Sequence, residues 1–181
     1  MKRITMMVTM LAVFGAMPVE ATGVLRIYGG AGTGDFYRGG GGASFGFDIP
    51  ISEERAFYLG GQFTFHNGSE NRILPAGVVA GLADEIGDAS QSQIGLEIGA
   101  TIASHPWIFR PAVGGGMSRI SLDSGTIVLT FERRGMVYGG ATLGRMIAET
   151  AMIGIEVRAM RVGDLGNSVA GYLTLGTTFG N

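Results

Sequence analysis

Eight segments of about ten residues alternate between apolar side chains and small or polar ones, and this period of two, met eight times, leaves few folds open. They run Val24 to Thr33, Gly40 to Ile49, Ala56 to His66, Gln91 to Ile102, Trp107 to Arg119, Arg134 to Gly144, Ala151 to Arg161 and Val169 to Phe179. The third is the clearest: Phe57, Leu59, Gly61, Phe63 and Phe65 take one face, and Tyr58, Gly60, Gln62, Thr64 and His66 take the other. A strand turns successive side chains to opposite faces, so each segment reads as a strand with one apolar face.

A soluble β-sandwich also has short alternating strands, but its outward face carries much charge. Here the second face is mostly Gly, Ser, Thr, Gln and Tyr. That pattern fits a barrel with lipid outside and a small polar lumen inside. Strands of this length cross a bilayer at a tilt of about 45°. The connections 50–55, 103–106 and 145–150 are uniformly short, whereas 67–90 and 120–133 are the longest. Short turns on the periplasmic side and longer loops outside are the pattern of bacterial outer-membrane barrels. The predicted fold is therefore all-β, an eight-stranded antiparallel up-and-down transmembrane barrel.

Residues 1–21 read as a cleaved secretory signal peptide rather than part of that fold. Lys2 and Arg3 are followed by the uncharged stretch Ile4 to Met17 and by Val19-Glu20-Ala21. That stretch has 14 residues, short of the roughly 20 a spanning helix needs. Residues 22–181 form the expected barrel domain. Without Lys2, Arg3 and Glu20 the chain has 11 basic and 14 acidic residues, a net charge of −3. This balance argues against a nucleic-acid partner. Cysteine is absent, which excludes disulfides, thiol chemistry and a lipid anchor through cysteine. Glycine, at 33 residues, has no collagen period and suits the bends and crowded backbones of a small barrel.

Projected inward, the alternation gives a lumen polar network of Arg26, Asp48, Glu97, Arg110, Glu156 and Arg158, three charges of each sign. Buried charge is costly unless paired, so ion pairs are expected among them. Glu97 and Arg110 flank the short 103–106 turn and are expected as cross-strand neighbours. Glu156 and Arg158 lie two apart on one face. Eight strands leave an interior just wide enough to be filled by side chains, so a filled lumen is expected, with a narrow water-filled channel as the alternative. Phe57, Tyr58, Trp107, Phe109 and Phe179 near one end, and Phe63 and Phe65 near the other, suit the two membrane interfaces.

Arg110-Pro111-Ala112-Val113-Gly114-Gly115-Gly116, Gly154-Ile155-Glu156-Val157-Arg158 and the closing Tyr172-Leu173-Thr174-Leu175-Gly176-Thr177-Thr178-Phe179 resemble the small outer-membrane β-barrels that include outer-membrane proteins A and X and the opacity-type surface proteins. The resemblance covers nearly all of the chain after residue 21. It implies a bacterial outer-membrane location, lipopolysaccharide and other outer-membrane lipid as surroundings, insertion by the barrel-assembly machinery and a structural or adhesion-like role. Host or surface contacts would use loops 67–90 and 120–133. The family's last strand usually ends on a terminal aromatic; here Phe179 is followed by Gly180 and Asn181.

An enzymatic alternative rests on His66, Ser69 and Glu70 at the outer rim, a set able in principle to form a hydrolytic triad. The motif loosely resembles the His-x-Ser of outer-membrane lipid A deacylases, one residue longer and placed earlier in the chain. Asn67-Gly68-Ser69 is equally ordinary loop chemistry. No cofactor or metal is expected. His66 and His105 are far apart in sequence, and the Gly29–Gly34 and Gly39–Gly42 runs lack a phosphate loop's helix and lysine. Loop segment 73–83, ILPAGVVAGLA, is apolar enough for a short helix packed on the barrel rim or used as a contact surface.

Overall fold

A computed structural model describes residues 21–34, 39–68, 88–123, 128–130, 133–163 and 166–180. The signal-peptide expectation, Ser69, Glu70 and segment 73–83 lie outside these residues.

The alternating segments form strands β1 (Thr22–Gly34), β2 (Gly39–Ser52), β3 (Arg55–Gly68), β4 (Asp88–Ser104), β5 (Trp107–Asp123), β7 (Arg134–Met146), β8 (Ala151–Val162) and β9 (Gly166–Phe179). A short β6 (Val128–Thr130) adds to the outer end of β5. The eight long strands pair antiparallel with their sequence neighbours, and β9 pairs with β1 to close the ring. Closure leaves the ring without an open edge, which a sheet inside hydrocarbon cannot tolerate.

The ring is staggered. From Val24 the hydrogen-bonded partners run through Gly46, Gly60, Glu97, Gly114, Tyr138, Met160 and Ser168, and return to β1 at Gly34, ten residues along. An eight-stranded ring with that stagger has strands tilted by about 35–45°.

Side-chain direction follows the predicted alternation. Leu25, Ile27, Phe63, Ile94, Leu96, Val113, Val137, Ile155 and Leu173 lie outside and exposed, while Arg26, Tyr28, Gln62, Glu97, Thr142, Arg158 and Tyr172, at alternate positions, are buried. A soluble protein buries its large apolar residues; here they form the outer wall, and the arginines and glutamates lie within. The one departure among the interface aromatics is Tyr58. It is fully buried and points into the lumen, whereas Phe57, Trp107, Phe109 and Phe179 remain outside.

β1 begins and β9 ends at the end that also holds the short turns Glu53–Glu54, His105–Pro106 and 147–150. Each turn is tied to a neighbouring strand by a backbone bond: Ala103 N to Glu54 O at 2.8 Å, Met146 N to Pro106 O at 2.7 Å, and Thr178 N to Thr150 O at 2.9 Å. At the opposite, outer end Gly163 closes the β8–β9 hairpin with φ of 48°, a left-handed conformation that glycine adopts without steric cost.

The outer connections are shorter than the sequence suggested. β3 runs to Gly68 and β4 starts at Asp88, so strand enters both ends of loop 67–90. β5 runs to Asp123, and Val128–Thr130 folds back on it, with Leu122 opposite Leu129. Backbone pairing needs no apolar face, so ladders continue past the point where lipid stops imposing alternation. β4 and β5, at 17 residues each, rise about 40 Å along the axis, well beyond an apolar band of about 25 Å.

Candidate functional site

The inward faces of the strands meet in one continuous polar stack along the barrel axis. Nearest the short turns, Arg110 on β5 donates from Nε to Thr101 Oγ1 and from Nη2 to Asp48 Oδ2, both at 2.8 Å. Thr101 in turn donates to Asp48 Oδ1 at 2.6 Å.

Arg26 on β1 occupies the middle. Its Nη2 donates to Glu97 Oε1 at 2.5 Å and to the Tyr58 hydroxyl at 3.2 Å. Its Nη1 donates to Thr142 Oγ1 at 3.1 Å and to Glu156 Oε2 at 3.3 Å. The Tyr58 hydroxyl donates to the same Glu97 oxygen at 2.7 Å. The Tyr58 ring has Arg110 at 4.8 Å and Arg26 at 5.4 Å from its centroid, so one aromatic face system links two layers of the stack.

Above this level Arg158 on β8 donates from Nε to Glu156 Oε1 at 2.9 Å, with further contacts to Glu156 and to Gln62 Oε1. Its guanidinium lies among the rings of Tyr138, Tyr28 and Tyr172, at 5.0, 5.1 and 5.4 Å from their centroids. Tyr28 is fixed by Thr64 Oγ1 at 2.8 Å. His66 Nε2 lies 2.8 Å from the Tyr172 hydroxyl, and Gln91 donates to Ser118 at 2.7 Å near the outer end.

All six charged residues expected in the lumen therefore point inward, and the structure joins them as Arg110–Asp48, Arg26–Glu97, Arg26–Glu156 and Arg158–Glu156. It does not join Glu97 to Arg110. The turn below them is only His105–Pro106, so the register sets Glu97 opposite Gly114, while Arg110 lies beside Thr101. Glu97 pairs across the lumen with Arg26 instead.

The alternation alone did not single out Tyr28, Tyr58, Tyr138 and Tyr172 as the packing that holds the arginines. A signal was present: every described phenylalanine occupies an outward position, and every described tyrosine an inward one. A tyrosine keeps its ring in the packed interior and its hydroxyl on a polar partner.

Arg26, Tyr58, Thr64, Arg158 and Thr174 are at most 2 % exposed. A continuous water column would expose them, so the geometry speaks against the narrow channel and for a lumen occupied by its own side chains. His66 is also fully buried, turned inward to Tyr172 and away from the rim. An alternating strand sends His66 inward with Thr64 and Gln62, so the hydrolase reading loses the base it placed at the surface. His66→Ala is expected to leave the lipid A mass profile of the cell unchanged; a change in acylation would restore that reading.

No protein-family model matches this chain, and no curated protein matches it. Solved structures do share its fold. Ail, the attachment invasion locus protein of Yersinia pestis, is 12% identical with a TM-score of 0.60, over 90% of this chain and 100% of Ail. Ail has also been solved in complex with the heparin analogue sucrose octasulfate. Neisserial surface protein A is 11% identical with a TM-score of 0.58, over 89% of this chain and 97% of that one. A major outer membrane protein from Thermus thermophilus is 8% identical with a TM-score of 0.64, over 88% and 99%. The fold of this chain is thus that of the small eight-stranded outer-membrane barrels.

Proposed function

We propose that this chain is a non-enzymatic surface protein of the bacterial outer membrane, exported with removal of residues 1–21 and inserted by the barrel-assembly machinery. Its barrel is a sealed scaffold, and its contacts with a host or surface partner are made at the outer end, by residues 67–90 and 120–133. The observation that carries this reading is the pairing of an apolar outer wall with an interior already filled by its own ion pairs. Such a barrel body has no room for a substrate, so specificity is left to the outer connections. The attachment protein Ail, with the same fold and a sulfated ligand in one structure, supports a surface-contact role and suggests heparin as a first probe.

The test compares the full chain with a variant whose residues 69–87 are replaced by a short turn, both expressed in a bacterium. Both are expected in the outer-membrane fraction, migrating faster on gels before boiling than after. Only the full chain is expected to confer binding to immobilised heparin or to host cells. A full chain recovered folded from the soluble fraction without detergent, or unchanged binding by the variant, would overturn the reading. Neither protein is expected to give a steady unitary conductance in a planar bilayer.

A further inference from the structure

Three polar side-chain atoms in the middle of the lumen have no hydrogen-bond partner among the described residues: Arg26 Nε, Ser44 Oγ and Gln62 Nε2. Their residues are at most 4 % exposed. All three belong to one row of the ladder, because Ser44 on β2 pairs with Arg26 on β1 and with Gln62 on β3. Arg110 Nη1, Gln91 Oε1 and Thr174 Oγ1 are also buried without a partner, but they belong to other rows. A buried polar group left unpaired is costly, so three on adjacent strands point to one shared partner.

The neighbours of Ser44 make room for it. Gly42 and Gly46 flank Ser44 on the inward face of β2, and an aromatic ring lies against each. A Cβ at Gly42 would stand 3.0 Å from the Tyr28 ring, and one at Gly46 would stand 2.6 Å from the Tyr58 ring. Ser44 therefore floors a slot walled by two tyrosines. Arg26 and Gln62 stand on its other two sides, with Cα atoms about 10 Å apart, two strand spacings. A small molecule seated on Ser44 is within reach of both.

The remaining bonds of these residues define what the slot accepts. Arg26 gives both Nη groups to Glu97, Glu156, Tyr58 and Thr142, and keeps Nε–H. Gln62 Oε1 accepts from Arg158 and, at 3.2 Å, from the Tyr28 hydroxyl; this fixes the amide, so Nε2 presents donors. Two N–H donor groups and a hydroxyl that can turn call for an acceptor. Charge selects a neutral one, because Arg26 and Arg158 are already matched by Glu97 and Glu156. An anion would add an unpaired charge to a buried site, and a cation would face N–H groups.

We propose that Arg26, Ser44 and Gln62 form a binding site for one resident water molecule. It accepts from Arg26 Nε and Gln62 Nε2 and donates to Ser44 Oγ, so it ties β1, β2 and β3 together through the lumen. Three polar partners are typical of a buried water. A single enclosed molecule is part of the packing and does not connect the lumen to bulk water. The site goes beyond the surface-contact reading and depends on the lumen alone.

The test starts from crystals of the chain purified in detergent, with the heat-dependent gel shift as the check of folding. A density peak is expected at about 2.7–3.2 Å from all three atoms. With bromide in place of chloride, no anomalous signal is expected at that peak. In solution, oxygen-17 relaxation dispersion is expected to count about one long-lived water fewer in Ser44→Val, whose methyl groups fill the slot. Ser44→Asn is expected to lose the same water yet unfold at higher urea than Ser44→Val, because its amide oxygen takes the place of the water as acceptor.

No density at the site, or Arg26 Nε and Gln62 Nε2 bonded to other protein groups, would overturn the proposal. A bromide signal there would overturn it in favour of an anion. An unchanged water count in Ser44→Val, or equal urea midpoints for the two variants, would overturn it too. If Ser44→Val does not fold, the density in the unaltered chain and the water count in Ser44→Asn carry the decision.

Discussion

Arg26→Met is expected to lower the unfolding free energy of the barrel in lipid vesicles by about 3–5 kcal/mol, the range for breaking a buried ion pair from one side. Arg26 serves two carboxylates, Glu97 and Glu156, together with the Tyr58 hydroxyl and Thr142. Methionine fills the volume without strain, so the loss isolates the charge rather than the packing. Glu156 keeps Arg158, but Glu97 keeps only the Tyr58 hydroxyl among the bonds described. The lumen would then hold two positive and three negative charges among the six. Adding Glu97→Gln removes the orphaned charge, and the double variant is expected to recover a measurable part of the loss, a coupling of about 0.5–3 kcal/mol. Urea titration followed by Trp107 fluorescence measures both, because Trp107 is the chain's one tryptophan and stands exposed on the outer wall. A loss below about 1 kcal/mol for Arg26→Met, the range of an exposed pair, would mean that water reaches Arg26 and that the lumen is not sealed.

The strands and their inward faces were legible because lipid imposes a strict rule on each residue separately. Leu25, Ile27 and Leu173 must face out and Arg26, Glu97 and Arg158 must face in, and a period of two states this in the sequence. Pairing inside the lumen follows no such local rule. Arg26 meets Glu97 at a sequence separation of 71 and Glu156 at 130, from strands that are not its ladder neighbours. In a ring this narrow, long side chains reach across the axis. On a flat sheet, closeness to one turn would make Glu97 and Arg110 neighbours; in the closed ring Glu97 reaches Arg26 and Arg110 reaches Asp48. Tyr58 obeys parity too: it shares the inward face of β3 with Gln62 and Thr64, so it packs in the lumen although its level in the barrel is that of a membrane interface. The outer ends were least legible. Segment 120–130 has the β-branched residues of strands, yet its pairing of Ser121 with Thr130 outlasts the alternation that marked the barrel.

A ring of only eight strands curves sharply, so side chains on its inward faces crowd the backbones of neighbouring strands. Gly30→Ala is expected to destabilise the barrel by about 1–3 kcal/mol or to block folding, as overpacking does. Gly30 faces inward on β1, opposite Tyr172 on β9, and a Cβ there would stand 1.9 Å from the Gly171 carbonyl oxygen. That atom belongs to the backbone ladder that closes the ring, so it cannot swing aside as a side chain would. Relief would have to come from β1 and β9 moving apart, next to the Tyr28 and Tyr172 rings that pack edge to face at 5.3 Å and enclose Arg158. Gly135 is the matched control. It lies exposed on β7, and a Cβ there would meet nothing within 4 Å. Gly135→Ala is expected to be neutral or to stabilise by up to about 1 kcal/mol through the unfolded chain. The two variants make the same chemical change, so their difference in urea midpoint measures the crowding at the closing seam. Equal midpoints would show that the seam yields freely and that glycine at position 30 is not a requirement of ring closure.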